Sequence, residues 1–199
     1  MAIAQPAVLA DVWSARAHSR ASTLARQAIL VIGGAAFVGL SAQVAIPLPF
    51  TPVPLTLQTF AVLLAGAALG PLRGVLSMSL YAVAGIAGVP WFAEGSSGFA
   101  MPSFGYILGF IAAAGIVGRI AENGATRTVW RTAALMIVGN LVIYAVGVTW
   151  LKFAIDSSWV TALELGVVPF VVGDLVKIAL AAGLLPLAWT GLRRAGLLD

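Results

Sequence analysis

Six apolar runs, at 24–44, 56–69, 74–88, 104–120, 132–152 and 167–189, dominate the chain beyond its first two dozen residues, each bounded by proline, glycine or charge. A helix that crosses the hydrocarbon core needs about 20 apolar residues, or roughly 30 with its connection, so 199 residues hold about six. The composition agrees. With 61% hydrophobic and 9% charged residues and a mean hydropathy of +1.04, the chain lies outside the soluble range. The sequence predicts an all-α, polytopic integral membrane protein with six transmembrane helices in a lipid bilayer. Its parts are an N-terminal arm at 1–23, a membrane domain at 24–190 and a short tail at 191–199.

Basic residues set the orientation. The arm has a mild apolar stretch at 7–10 followed by Arg16, Arg20 and Arg26, the reverse of a signal peptide's order, and is expected to be retained. With the N-terminus inside, the cytoplasmic segments carry Arg16, Arg20, Arg26, Arg73, Arg119, Arg127, Arg131, Arg193 and Arg194, against Lys152 alone outside. This asymmetry predicts both termini in the cytoplasm. The net charge of +4 is thus an orientation signal and does not point to nucleic acid.

Several chemistries lack their residues. There are no cysteines and one histidine, His18, so thiolate catalysis and Cys- or His-rich metal sites are excluded, and no metal or cofactor is expected. No P-loop, H-E-x-x-H or G-x-S-x-G motif occurs, since Gly95-Ser-Ser-Gly98 is one residue too short. Ser96 and Ser97 have no histidine base, because the topology puts His18 across the membrane. Neither an ATPase nor a hydrolase is expected.

The outer connections are the long ones, and recognition groups concentrate on such loops. The first, at 46–55, carries Pro47, Pro49, Pro52 and Pro54, a spacing that blocks helix and favours a stiff extended segment. The second, at 89–103, sets Trp91, Phe92 and Phe99 among Gly95, Ser96, Ser97 and Gly98. The third, at 153–166, holds Asp156 and Glu164.

Inside the spans, Asp174 and Lys177 form the one clear ionisable pair. Three residues apart, they share a helix face about 4.5 Å along the axis. Turned to lipid, each charge would cost at least ~2.5 kcal/mol, so the pair is expected to face the bundle interior as a substrate site or an internal salt bridge. Gln58, Tyr81, Asn140 and Tyr144 are the polar groups in other spans that would complete a pocket, each having interhelical hydrogen bonding as its plainer alternative. Small residues recur at i and i+4, most densely in the first run at Gly33, Gly34, Ala35, Ala36, Gly39 and Ala42. That density leaves internal packing and a membrane-partner surface both open.

Six ordered motifs resemble the BioY family: Thr51-Pro-Val-Pro-Leu-Thr-Leu-Gln-Thr-Phe-Ala-Val-Leu-Leu-Ala-Gly66, Gly70-Pro-Leu-Arg-Gly74, Gly88-Val-Pro-Trp-Phe-Ala93, Phe104-Gly-Tyr-Ile-Leu-Gly-Phe110, Gly139-Asn140 and Pro169-Phe-Val-Val-Gly-Asp-Leu-Val-Lys177. The family departs from this chain at Met101-Pro-Ser-Phe-Gly-Tyr106, where Gly-Pro-Thr-Gly-Gly-Tyr is usual, and at Trp91, where a smaller residue is typical. The resemblance implies the biotin-specific substrate-capture subunit (S-component) of an energy-coupling-factor transporter, in a bacterial cytoplasmic membrane. Its implied partners are biotin, a transmembrane coupling protein (T component) and cytoplasmic ABC-type ATPases. It carries a substrate-site role onto Asp174 and Lys177, and also onto Gln58, Tyr81, Tyr144 and the 89–98 loop with Phe92. A stand-alone secondary carrier for biotin or another small vitamin is the alternative.

Overall fold

Serine, glycine and proline set several of the helix ends. In the computed structural model, which describes residues 6–14 and 19–198, a short helix α1 (Leu9–Ser14) precedes α2 (Arg20–Ala42). Arg16 and His18 lie outside the described residues. Ser19 caps α2 by accepting from the Ser22 amide while the Ser22 hydroxyl engages the Ser19 amide, a reciprocal box that satisfies two otherwise orphaned donors. Helix α3 (Gln58–Leu69) stops at Gly70, whose φ of +83° is the left-handed backbone that glycine adopts without strain, and α4 (Pro71–Ile86) starts at once. Proline is tolerated in a first turn, where its missing N–H has no intrahelical partner. The third expected span therefore begins at Pro71, as α4, rather than at 74, and Arg73 lies within it.

The remaining helices are α5 (Phe104–Ala121), α6 (Val129–Ala154), α7 (Trp159–Gly166) and α8 (Val171–Arg194). Helix α7 was not expected; Ser158 caps it by accepting from the Thr161 amide inside what the sequence offered as a loop. The boundaries drawn at 24 and 190 fall within α2 and α8. Arg20–Ala42, Phe104–Ala121, Val129–Ala154 and the stretch Trp159–Arg194 are long and apolar enough to cross a membrane. Four of the six expected spans are thus full length. Helices α3 and α4, with 12 and 16 residues, are about 18 and 24 Å long, shorter than a hydrocarbon core.

Polarity is inverted relative to a water-soluble bundle. Leu24, Ile32, Leu40, Val172, Leu175 and Leu187 are exposed, whereas Asp174, Gln58, Thr132 and Asn140 are buried, as expected of a protein whose solvent is lipid. Helix α5 lies at the centre and packs on α3, α4 and α6. A Cβ on its Gly118 would come within 2.5 Å of the Pro71 nitrogen, so the α3–α4 corner seats directly on the α5 backbone.

Four of the six small residues of α2 resolve into internal packing, while Gly33 is exposed and Ala36 half-buried. Gly34, Ala35, Val38, Gly39 and Ala42 are buried; a Cβ on Gly34 would run into Ser77 and Leu69, and one on Gly39 into the Trp91 ring. The partner-surface alternative is thereby corrected for this face. The outward stripe of α2 is instead Ile29, Ile32, Phe37 and Leu40.

The two ends of the bundle differ. At one, Arg73 pairs with Asp11 at 2.9 Å and bonds Gln27, Arg127 reaches the Pro6 carbonyl, and buried Trp189 donates to Thr126 at 2.9 Å. Much of the expected cytoplasmic charge gathers here, with part of the expected arm docked on the bundle as α1. At the other end the proline segment doubles back through a two-residue antiparallel ladder, β1 (Ala45–Ile46) with β2 (Leu55–Thr56), rather than running straight. The Thr51 hydroxyl donates to the Leu165 carbonyl, and Gln43 donates to the carbonyls of Trp91 and Phe92.

Candidate functional site

The looped end stands over a cavity between α3, α5, α6 and α8. Three features of local sequence put its walls in place. Strand β2 leads into the first turn of α3, which presents Gln58 and Thr59 to the cavity. The chain after α4 turns back so that the Phe92 ring lies on Gly85, where a Cβ would occupy the space of the ring. Finally, α8 begins at Val171, so Asp174 falls in its first turn, where the helix dipole favours an anion.

One corner of this cavity is polar. Lys177 Nζ lies 3.2 Å from Asp174 Oδ1 and donates to Thr59 Oγ1 at 2.9 Å. The Tyr144 hydroxyl donates to Asp174 Oδ2. The pair thus joins α3, α6 and α8, and both side chains are largely buried, at 8% and 12% exposure. Since the charges are opposite and adjacent, the corner carries none overall. Among the described residues no group of acidic or histidine side chains is arranged to hold a metal ion.

The other walls are apolar and aromatic: Phe92, Ile107, Phe110 and Phe170, with Tyr106 and Met101. Tyr106 is anchored by donating to the Gly166 carbonyl at 2.8 Å and meets Tyr144 edge to face at 6.4 Å. A concave apolar site with a few convergent polar groups is the usual form of a small-molecule pocket.

Of the residues singled out in the sequence, Gln58, Phe92, Tyr144, Asp174 and Lys177 line the cavity. Two do not. Tyr81 is fully buried behind Gln58, whose Nε2 donates to its hydroxyl at 2.6 Å. Asn140 lines a smaller side cavity that shares Thr59 and Lys177 with the main one. Thr59, Tyr106, Phe110 and Phe170 were not singled out. Nothing in type or spacing separates them from packing residues, although all four fall within motifs quoted above.

Known proteins agree with this architecture. The model of the BioY family matches residues 14–194. The chain is 39% identical over 160 residues to the probable biotin transporter BioY of Pyrococcus horikoshii, covering 79% of this chain and 92% of that one. It is 35% identical over 154 residues to biotin transporter BioY2 of Lactococcus lactis, with 74% and 81% coverage. With biotin transporter BioY of Thermotoga maritima it shares 38% over 140 residues, with 69% and 81% coverage. Its fold matches the crystal structure of the S-component for biotin from an ECF-type ABC transporter with a TM-score of 0.76 and 24% identity, covering 89% of this chain and 95% of that one.

Proposed function

Because this chain belongs to the BioY family, we propose that it is a biotin-capture subunit whose cavity takes the vitamin at the outer face. It works with a transmembrane coupling protein and cytoplasmic ATPases that supply the energy, in the cytoplasmic membrane of a bacterium. It catalyses no reaction itself and uses no cofactor. One observation carries this reading: the one buried charge pair found in the spans among the described residues, with Tyr144 and Thr59, forms a neutral polar corner in a cavity walled mostly by apolar and aromatic side chains.

Such a corner suits a polar but uncharged group. The ureido ring of biotin offers two N–H donors and one carbonyl acceptor, against the lone pairs of Asp174 and the remaining ammonium hydrogen of Lys177. A carboxylate placed in the same corner would leave a net buried negative charge, which is costly. The ureido ring is therefore assigned to the Asp174–Lys177 corner and the valerate carboxylate to the wetter mouth. The aromatic walls take the fused rings and the methylene chain.

Equilibrium binding of biotin to the purified chain in detergent, without nucleotide, tests this function. Saturable binding of one biotin per chain is expected, with no covalent change in the ligand. No saturable binding, or biotin uptake by the chain alone in liposomes driven by a proton gradient, would overturn the capture-subunit reading.

A further inference from the structure

Tyr81 does not touch the cavity, yet it stands in a hydrogen-bond chain that begins there. Gln58 Nε2 lies 2.6 Å from the Tyr81 hydroxyl, which lies 3.2 Å from the Trp91 carbonyl oxygen. In return, the Trp91 indole donates to the Tyr81 carbonyl at 3.0 Å, and the two rings sit 5.1 Å apart. A phenol has one hydrogen to give, and a backbone carbonyl can only accept. Only one arrangement satisfies both contacts: Tyr81 donates to Trp91, and Gln58 turns its NH2 toward Tyr81. The opposite orientation of the amide takes the hydrogen of Tyr81 for itself and sets two oxygens against each other at Trp91, with one hydrogen bond fewer.

The consequence lies on the cavity side. With its NH2 held by Tyr81, Gln58 is left with its carbonyl Oε1, and among the described residues no protein donor reaches that atom. Gln58 is only 5% exposed and lines the cavity, so the free acceptor is available to a ligand rather than to bulk water. A site that presents an acceptor to the ligand in this way discriminates strongly against ligands that cannot supply the hydrogen.

We infer that Tyr81 is a positioning residue that fixes the polarity of Gln58, making Gln58 Oε1 a specificity determinant that reads one ring N–H of the bound ligand. This rests on the biotin-capture reading above. The ligand class it selects is a cyclic urea or lactam with N–H on the Gln58 side, and it rejects the isostere with CH2 at that place. The chain also runs to the 89–98 loop through Trp91, whose carbonyl further accepts from Gln43 on the α2 end at 3.1 Å. The loop that closes the cavity and the group that reads the ligand are thus held by the same tyrosine.

The test compares biotin with the two ring lactams in which one or the other ureido N–H is replaced by CH2. Affinities are measured for the full chain in detergent and for Tyr81→Phe, Gln58→Met and the double variant, each first checked for monodispersity and thermal stability. Phenylalanine keeps the ring against Trp91 and removes only the hydroxyl. The native chain should bind one lactam at least about tenfold more weakly than biotin, or about 1.4 kcal/mol. Tyr81→Phe should weaken biotin about fivefold while leaving that lactam within twofold. In the Gln58→Met background, Tyr81→Phe should leave the ratio unchanged, as expected of a residue that acts through Gln58.

If Tyr81→Phe weakened biotin and both lactams equally, or changed the ratio as much without Gln58 as with it, the hydroxyl would serve only the loop and the inference would be overturned. Equal binding of biotin and both lactams by the native chain would overturn it as well. Absence of biotin binding to the native chain would instead remove the function on which it rests.

Discussion

Tyr144 on α6 donates to one carboxylate oxygen of Asp174 on α8, while the other oxygen of Asp174 faces Lys177 one turn along the same helix. An ion pair within one helix becomes, through Tyr144 and Thr59, a junction of three helices. Because both charges are buried, removing one partner leaves the other uncompensated, which typically costs about 3 to 5 kcal/mol.

Single and double substitutions should therefore differ in kind. Asp174→Asn or Lys177→Gln alone should lower the thermal midpoint markedly. The double variant should recover monodispersity and much of the stability, yet bind biotin at least about tenfold more weakly, about 1.4 kcal/mol. Tyr144→Phe should cost about 1.5 to 3 kcal/mol, the usual worth of a hydrogen bond to a charged group, with weaker biotin binding. Isothermal calorimetry beside a thermal melt separates the two effects. A stable double variant with native affinity would reduce the pair to a packing salt bridge.

The orientation is open to chemical labelling because the chain has no cysteine. Ser97 and Ser158 are exposed at the looped end, and Asn123 is exposed on the basic end. A membrane-impermeant maleimide should label Ser97→Cys and Ser158→Cys in intact cells, and Asn123→Cys only after permeabilisation. The reverse pattern would invert the topology.

Neighbouring glycines of α2 should respond in opposite ways. Gly34→Leu drives new atoms into Ser77 and Leu69, whereas a Cβ at Gly33 meets nothing within 4 Å. Thermal unfolding in detergent should show Gly34→Leu destabilised by about 1 to 3 kcal/mol, the usual cost of overpacking, and Gly33→Leu close to native. Equal tolerance at both positions would show that the buried face of α2 does not set its distance from α4.

Gly85 offers a sharper test of the cavity wall, since the Phe92 ring fills the place of the missing Cβ. Gly85→Ala should displace Phe92 and weaken biotin binding several-fold, with a loss of about 1 to 3 kcal/mol in stability. Pairing it with Phe92→Leu should restore part of the stability, because the smaller side chain leaves room for the added methyl group. A Gly85→Ala variant with native affinity and stability would show that the ring shifts freely.

The charged part of the site was legible in the sequence because a carboxylate and an amine are expensive within an apolar span and rarely persist there without a role. Asp174 and Lys177 identify themselves by cost. Thr59, Tyr106, Phe110 and Phe170 carry no such mark: hydroxyls and aromatic rings occur throughout apolar helices, and only the folded arrangement shows which of them face the cavity. Tyr81 and Asn140 were singled out as polar groups of the spans, but polarity does not tell a group at the cavity surface from one behind it. The spans were legible to within a few residues from hydropathy, except where end chemistry shifted them, as at Pro71. Helix α7 escaped notice because its eight residues are too few for an apolar period to stand out, and its connections look like loop.

The cavity takes its polar corner from α3, α6 and α8, and both charges reside on the last of these. Synthesis runs from the N-terminus, so Thr59 and Tyr144 enter the bilayer well before their partners exist. The final helix carries its acid and its amine one turn apart, and so reaches the translocation machinery already neutralised, at a lower insertion cost than either charge alone. A ribosome-bound chain released before residue 171 would have the walls of the pocket without its polar corner. A chain that has not yet inserted α8 is therefore expected to hold no vitamin in the membrane.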